Sequence, residues 1–239
     1  MSVKLSYCGQ EVRRLDWERF ICAVFAPPDA RESLFALLAL DLELSKTRRV
    51  VSEPLLGEIR LQWWRDAIDK IYDAPGEVPH GNPLLEALKN TLTDYHLSHA
   101  RVVEIIDGYI AELWIDTPVN SDVIVNFAEA TSANLTRLML HILNTGSMAD
   151  DHPVIIAGNA VGVAWGISAY LKSGRNPPDL KPPLSEFMNG KLAEARALRR
   201  QISRRYLPAL LPASMIDTGG QSRLRKQLKL GFNALAGVF

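Results

Sequence analysis

The residues best suited to chemistry lie between Glu53 and Asp69, where aromatic, basic and acidic side chains are interspersed. Arg60 stands one helical turn before Trp64, on the edge of a face that is otherwise apolar. A guanidinium in that position can bind a phosphate or carboxylate through two parallel hydrogen bonds. It can also lie with its methylene stem on apolar neighbours and its charged end in water, which is the commoner arrangement. The sequence leaves both interpretations open.

Helical periodicity divides this segment into an apolar face and a polar face. We expect the apolar face to be buried, and it consists of Leu56, Ile59, Trp63, Trp64, Ala67, Ile68 and Ile71. The polar face, which we expect to contact water, consists of Glu58, Gln62, Arg65 and Asp69.

Two pairs of residues have spacings that could suit a metal ion. Asp66 and Asp69 are three positions apart on the predicted helix and could share a divalent cation. His96 and His99 could bind zinc from one end of a helix, but no third ligand lies nearby in the sequence. Because such pairs occur mostly on solvated surfaces, we expect neither to hold a metal.

The composition excludes several classes of protein. The 239 residues include 27 basic and 27 acidic side chains, so no net charge attracts nucleic acid, and we expect no nucleic-acid partner. The two cysteines, Cys8 and Cys22, cannot form a disulfide framework or a four-ligand zinc site by themselves. The first ten residues lack the apolar segment of a secretory signal, and we therefore expect a cytoplasmic location.

The elements that must position these residues are helices, because apolar residues recur every three or four positions almost throughout. We predict one all-α domain over residues 1–239 with nine or ten helices. Asp29 and Glu32 suggest a capping box at the start of the second predicted helix. Gly146 suggests the end of a later helix. The uncharged run from Pro153 to Leu171 could cross a membrane, but we expect a buried central helix. Four prolines between 173 and 183 predict a loop, which we extend over 173–190.

Several short stretches occur in the order found in one known family. They are Phe25-Ala-Pro-Pro with Arg31, Leu34-Phe-Ala-Leu-Leu-Ala-Leu, Glu53-Pro, Arg60-Leu-Gln-Trp-Trp-Arg and Ala157-Gly-Asn-Ala-Val-Gly-Val-Ala. Taken together they resemble the squalene/phytoene synthase family, and the resemblance fades around Leu210. It implies an all-α isoprenoid-synthase fold, a helical bundle around a central cavity.

Active members of that family join two prenyl diphosphates head to head. The resemblance implies two acidic clusters that hold Mg²⁺, which neutralises the departing diphosphate. The matching positions here are not acidic: Ser45, Lys46 and Arg49 in the first cluster, and Ala169, Lys172 and Ser173 in the second. We therefore expect both metal motifs to be degenerate, with no catalytic residue and no cofactor.

The Arg60–Arg65 block and the stretch from Glu129 to Leu138 resemble a divergent, non-catalytic branch of the family. That branch includes a mitochondrial assembly factor for respiratory complex I. The resemblance implies a binding or assembly-type protein with a protein partner and a prenyl- or lipid-sized pocket. We expect that pocket to bind a prenyl or lipid anion through Arg48, Arg49, Arg60, Trp64 and Lys172.

Two alternatives stay open at this point. The chain could be a Mg²⁺-dependent prenyl-diphosphate transferase with an atypical metal site, built from Asp41, Glu43, Asp66 or Asp69. It could also be a peripheral membrane protein that docks through the basic amphipathic stretch from Arg223 to Lys229.

Overall fold

A computed structural model describes residues 5–74, 81–115, 119–144, 148–174, 177–216 and 222–239. These ranges are almost wholly helical and contain no β-strand. The prediction of an all-α fold is confirmed. The predicted helix end at Gly146 lies outside the described residues.

The α-helices are numbered in chain order. They are α1 (Tyr7–Leu15), α2 (Trp17–Val24), α3 (Pro28–Val50), α4 (Pro54–Asp73), α5 (Pro83–Asp94), α6 (His99–Leu113), α7 (Ser121–Ala128), α8 (Asn134–Leu143), α9 (Pro153–Lys172), α10 (Lys181–Ala197), α11 (Leu207–Leu210) and α12 (Arg223–Ala236). A π-helical segment, Glu129–Ala133, joins α7 to α8. Short 3-10 segments precede α10 and surround α11.

The central helix of the bundle is α9, which packs against α7, α8, α10 and the π-helical segment. It is long and apolar enough to cross a membrane, but 72% of its most apolar window is buried inside the protein. The structure therefore places it in the core, as the sequence predicted. Gly162 permits a close approach of another backbone, because a Cβ there would lie 2.5 Å from Ala133 Cα and 2.6 Å from the Ser132 carbonyl oxygen.

The proline-rich segment is not the loop over 173–190 that we predicted. A 3-10 turn at Pro178–Leu180 leads directly into α10. Pro182 and Pro183 lie in the first turn of this helix, where backbone N–H groups have no partner within the helix. Proline therefore costs no hydrogen bond there. Residues 175 and 176 lie outside the described residues.

Two short helices precede α3: α1, which the sequence did not predict, and α2, with Asp16 between them. The Asp16 carboxylate accepts a hydrogen bond from the Arg19 backbone N–H at 2.9 Å and so caps α2. The predicted capping box at the start of α3 is wrong. Pro27 is the N-cap residue, and no side chain caps this helix.

The predicted apolar face of α4 is only partly buried. The buried side chains repeat every three or four residues: Leu61, Trp64, Ala67, Ile68 and Ile71. The other apolar residues form a second stripe that contacts water, and we call it the α4 outer face: Leu55, Leu56, Ile59 and Trp63. Our expectation that Leu56, Ile59 and Trp63 are buried is therefore wrong, because one helix carries two apolar stripes and only one faces the bundle.

Candidate functional site: a cavity with internally paired charges

A cavity of about 160 Å³ lies between α2, α3, α6, α7, the π-helical segment and α9. Its polar lining comes from Arg19, Asp41, Ser45, Tyr109, Glu112 and Ser132. The apolar part of the wall includes Phe127 and Trp165. Charged groups from three helices therefore meet inside the bundle.

Arg19 and Asp41 form a buried ion pair at this cavity, with 2.7 Å between Nη2 and Oδ2. Their side chains are only 10% and 6% exposed. The Arg19 Nε also donates to Asp16. The Tyr109 hydroxyl donates to Asp41 Oδ1 at 2.6 Å. Both carboxylate oxygens of Asp41 are therefore bonded to donors of the protein itself.

The surroundings fix the protonation states of this network. Burial disfavours the charged form of Arg19, but Asp16 and Asp41 outweigh it and raise the pKa of the guanidinium above its ordinary value. Burial, and then the charge of Asp41, raises the pKa of Tyr109 well above its ordinary value. Arg19 stays cationic, and Tyr109 keeps its proton as a hydrogen-bond donor.

Trp165 lies next to both the buried network and a second cation. The Arg19 guanidinium carbon is 5.7 Å from the centre of its ring, and Lys172 Nζ is 5.6 Å from that centre. Lys172 Nζ also lies 3.8 Å from a carboxylate oxygen of Glu18. Among the predicted pocket residues, Lys172 therefore lies near the cavity, because it contacts Trp165 of the cavity wall.

The positions expected for the two metal motifs are only partly brought together. Ser45 and Ala169 both line the cavity. Lys46 instead pairs with Glu43 at 2.8 Å, and Arg49 is exposed. The Ser173 hydroxyl donates to the Tyr170 carbonyl oxygen at 2.6 Å, at the end of α9.

The other predicted anion-binding residues do not line the cavity. Arg48 donates to the carbonyl oxygens of Glu112 and Leu113 at 2.6 and 3.1 Å, at the end of α6. Arg60 pairs with Glu43 and is 42% exposed on its side chain. Trp64 is buried in the core. The structure therefore does not place these side chains in the cavity, and their role in binding an anion stays a prediction.

The carboxylates considered for an atypical metal site have separate partners as well. Asp69 pairs with His99 Nε2 at 2.6 Å, and Asp66 accepts from Gln62 at 2.8 Å. Among the described residues, no three His, Cys, Asp or Glu side chains are grouped as metal ligands.

The cavity residues also fit Mg²⁺ poorly. Mg²⁺ takes hard oxygen ligands, typically from one or two carboxylates together with substrate phosphates. The two carboxylate residues in the lining are Asp41 and Glu112. Asp41 has both oxygens engaged, and the fixed positive charge of Arg19 beside it repels a cation.

The volume argues against a prenyl ligand in this cavity. Small-molecule sites usually measure about 300–1,000 Å³, whereas this cavity measures about 160 Å³. This cavity is therefore smaller than the predicted prenyl- or lipid-sized pocket, and such a pocket stays a prediction.

Sequence reasoning did not single out Arg19, Tyr109 or Trp165. One signal was available for Arg19, because it follows Asp16 by three residues where an apolar helix begins. Tyr109 had no comparable signal, since its partner Asp41 is 68 positions away.

The arrangement of the helices around the cavity is the all-α isoprenoid-synthase fold. A crystal structure of a dehydrosqualene synthase in complex with ligand superposes with a TM-score of 0.76, covering 96% of this chain and 94% of that one at 13% identity. Squalene synthase HpnC from Alicyclobacillus acidocaldarius gives a TM-score of 0.67 at 14% identity, with 97% and 94% covered. At these identities the likeness concerns the fold alone.

The particular family follows from the sequence. A model of the squalene/phytoene synthase family matches residues 12–175, and the chain belongs to this family. It is 32% identical over 168 residues to the Bos taurus protein named NADH dehydrogenase (ubiquinone) complex I, assembly factor 6, and 31% identical to the Homo sapiens protein of that name. Each match covers 70% of this chain and 48% of the relative. The chain thus spans about half the length of the curated relatives it matches.

Proposed function

We propose that this chain is a non-catalytic member of its family that binds a protein partner during assembly of a respiratory complex. The observation that carries the proposal is the pairing of Asp41 with Arg19 and Tyr109. Diphosphate departure in this family depends on metal ions that compensate the developing negative charge. A cavity whose central carboxylate is neutralised by a guanidinium is poorly suited to hold those ions.

Two further observations support the absence of catalysis. We interpret Ser45, Lys46 and Arg49 as the remains of a first metal motif, and Ala169 and Ser173 as the remains of a second. None of these side chains supplies the negatively charged oxygen that a carboxylate offers to Mg²⁺. The proposal accordingly includes no cofactor.

The assembly role is inferred from the relatives. Proteins about 30% identical to this chain are named as assembly factors of NADH dehydrogenase complex I. The α4 outer face supplies a surface on which a protein could bind. Ile59 is 61% exposed and Trp63 is 48% exposed. Large exposed apolar patches mark interaction sites, and tryptophan is enriched among residues that dominate binding energy.

The first experiment tests catalysis. The purified chain is incubated with farnesyl or geranylgeranyl diphosphate and Mg²⁺, with a dehydrosqualene synthase as the positive control. We expect no condensed product and no pyrophosphate release. Turnover above that of the boiled protein would contradict the non-catalytic role and support the transferase alternative.

The second experiment tests assembly. The gene is deleted in its own organism, and assembled complex I is measured by native gel electrophoresis and NADH dehydrogenase activity. We expect the deletion to lower both, and the unaltered chain to restore them. The double variant Ile59→Ser/Trp63→Ser should restore less than half.

A matched control removes exposed apolar residues elsewhere. Leu15→Ser/Phe25→Ser changes two side chains that are 40% and 46% exposed at the ends of α1 and α2. It should restore complex I fully. Normal complex I in the deletion strain would overturn the assembly role. A location on the cytoplasmic side of the inner membrane, free or peripherally bound, remains part of this proposal, and cell fractionation tests it.

A further inference from the structure

The C-terminal part of the chain is strongly basic, although the whole chain has no net charge. Residues 195–216 and 222–239 contain nine Lys and Arg and no Asp or Glu, and one acidic residue, Asp217, lies between the two ranges in the sequence. The two ranges are in contact: Arg196 Nε donates to the Phe239 carbonyl oxygen at 3.4 Å. Arg204 Nε lies 3.5 Å from where a Cβ on Gly237 would stand. The end of α10 and a basic 3-10 segment therefore contact the C-terminal end of α12.

The side of α12 that faces water carries a stripe of apolar residues. Leu224, Leu228, Phe232 and Leu235 are 66–77% exposed, more than any other large apolar residue in the described part of the chain. Their spacing of four, four and three residues places them on one face of the helix. This surface, with its basic border, is called the α12 face.

The opposite side of α12 fastens the helix to the bundle. Leu230 is 1% exposed, and Lys226 pairs with Glu18 of α2. The stripe is therefore held outward by the fold. Arg225 and Lys229 directly follow Leu224 and Leu228 in the chain, are exposed, and border the stripe on one side.

The combination of charge and apolar groups favours one kind of partner. A nucleic acid would use the cations, but it offers nothing that would bury four large aliphatic and aromatic side chains. A protein surface is the better match for the α4 outer face, whose border mixes Glu58, Arg60 and Asp66. Anionic lipid complements both features of the α12 face, because acyl chains accept leucine and phenylalanine while head groups attract lysine and arginine.

We propose that the α12 face docks the protein on the surface of an anionic lipid bilayer. Leu224, Leu228, Phe232 and Leu235 would enter the boundary between head groups and acyl chains. Arg225 and Lys229 would contact the lipid phosphates. This role is separate from the proposed assembly function, since membrane docking can occur whether or not the chain binds a respiratory complex.

The experiment is sedimentation of the full chain with vesicles of 30% phosphatidylglycerol and 70% phosphatidylcholine, compared with vesicles of pure phosphatidylcholine. We expect at least tenfold stronger partitioning into the anionic vesicles, and a loss of that preference at high salt. The charge-reversal variant Arg225→Glu/Lys229→Glu should lower partitioning at least tenfold. Leu228→Ser/Phe232→Ser should lower it to a similar extent. Lys226 is left intact because it pairs with Glu18.

Matched variants on other faces keep the test specific. Arg13→Glu/Lys70→Glu reverses two exposed charges on α1 and α4, and Ile59→Ser/Trp63→Ser removes the α4 outer face. Both should bind anionic vesicles within twofold of the unaltered chain. The thermal unfolding midpoint of every variant is measured to confirm that it is folded.

Three results would overturn the proposal. One is an unaltered chain that does not sediment with either vesicle. Another is an equal loss of binding in the matched variants, since this would place the contact elsewhere. The third is an unaltered chain that forms a dimer in light scattering and does not bind vesicles, while Leu228→Ser/Phe232→Ser is a monomer. The apolar stripe would then bind a second copy of the chain.

Discussion

Inside the cavity, polar groups that could act on a ligand are bonded to one another, whereas on the α4 outer face apolar groups that could be buried are left in water. Asp41 has protein donors on both oxygens, and its partner Arg19 is buried. Ile59 and Trp63, by contrast, are about half exposed. The contrast indicates that the charges of the cavity support the fold, and it agrees with the proposal that a partner binds on the outer surface.

The largest effect should come from breaking the ion pair inside the cavity. Arg19→Leu leaves the Asp41 carboxylate buried without its cation, and such losses cost about 3–5 kcal/mol. We expect a decrease of that size in the free energy of unfolding, measured with urea. Adding Asp41→Asn should recover part of the loss, because no charge is then left buried.

The control for this prediction is Arg13→Leu, which removes an exposed cation from α1. It should change the free energy of unfolding by no more than about 0.5 kcal/mol. A cost below about 1 kcal/mol for Arg19→Leu would mean that the cavity charges are not an internal support, and a role in ligand binding would again be open.

Two adjacent tryptophans test the other side of the comparison. Trp64 is 4% exposed and Trp63 is 48% exposed. Trp64→Ala should lower the free energy of unfolding by about 3–5 kcal/mol, as for other buried aromatic residues. Trp63→Ala should cost no more than about 1.5 kcal/mol, the value of its edge-to-face contact with Trp64. Similar costs for both would show that the α4 outer face supports the fold.

The helices were largely predictable, because a period near 3.6 residues is a local property of the sequence. The predicted helix from Pro153 to Leu171 matches α9 within one residue. The face of α4 that is buried was not predictable, since both of its stripes are apolar and only the neighbouring helices distinguish them. The pairing of Asp41 with Tyr109 was equally out of reach, because spacing along the chain carries no information on contacts between helices.

The prediction for α10 failed for a different reason. Proline breaks a helix in its interior, but it is well tolerated in the first turn. Both Pro182 and Pro183 occupy that turn. The same two prolines are therefore compatible with a loop or with the start of a helix, and their position relative to the first helical residue determines which one forms.

Two glycines allow packing inside the bundle to be compared with packing at its surface. Gly162 lies where α9 meets the backbone of the π-helical segment, whereas a Cβ added at Gly190 of α10 would meet nothing within 4 Å. Gly162→Ala should cost about 1–3 kcal/mol of unfolding free energy through overpacking. Gly190→Ala should add about 0.5–1 kcal/mol, because alanine restricts the unfolded chain and favours helix. Thermal or urea unfolding of both variants checks the opposite signs.

The smallest expected change in stability concerns Cys8, whose pKa is raised by burial as that of Tyr109 is in the cavity. Burial, and then the charge of Glu32, raises the pKa of the Cys8 thiol from 9.0 to about 12. The unfolded chain therefore loses this proton first as the pH rises above about 9, and stability falls between the two values. At pH 10 the loss from this site should be about 1 kcal/mol relative to pH 8. Cys8→Ala should remove that part of the pH dependence, measured as the difference between the urea unfolding curves of the two proteins. An unchanged difference between pH 8 and pH 10 would show that the thiol is accessible to water, and the core around α1 would then be less tightly packed than the cavity network.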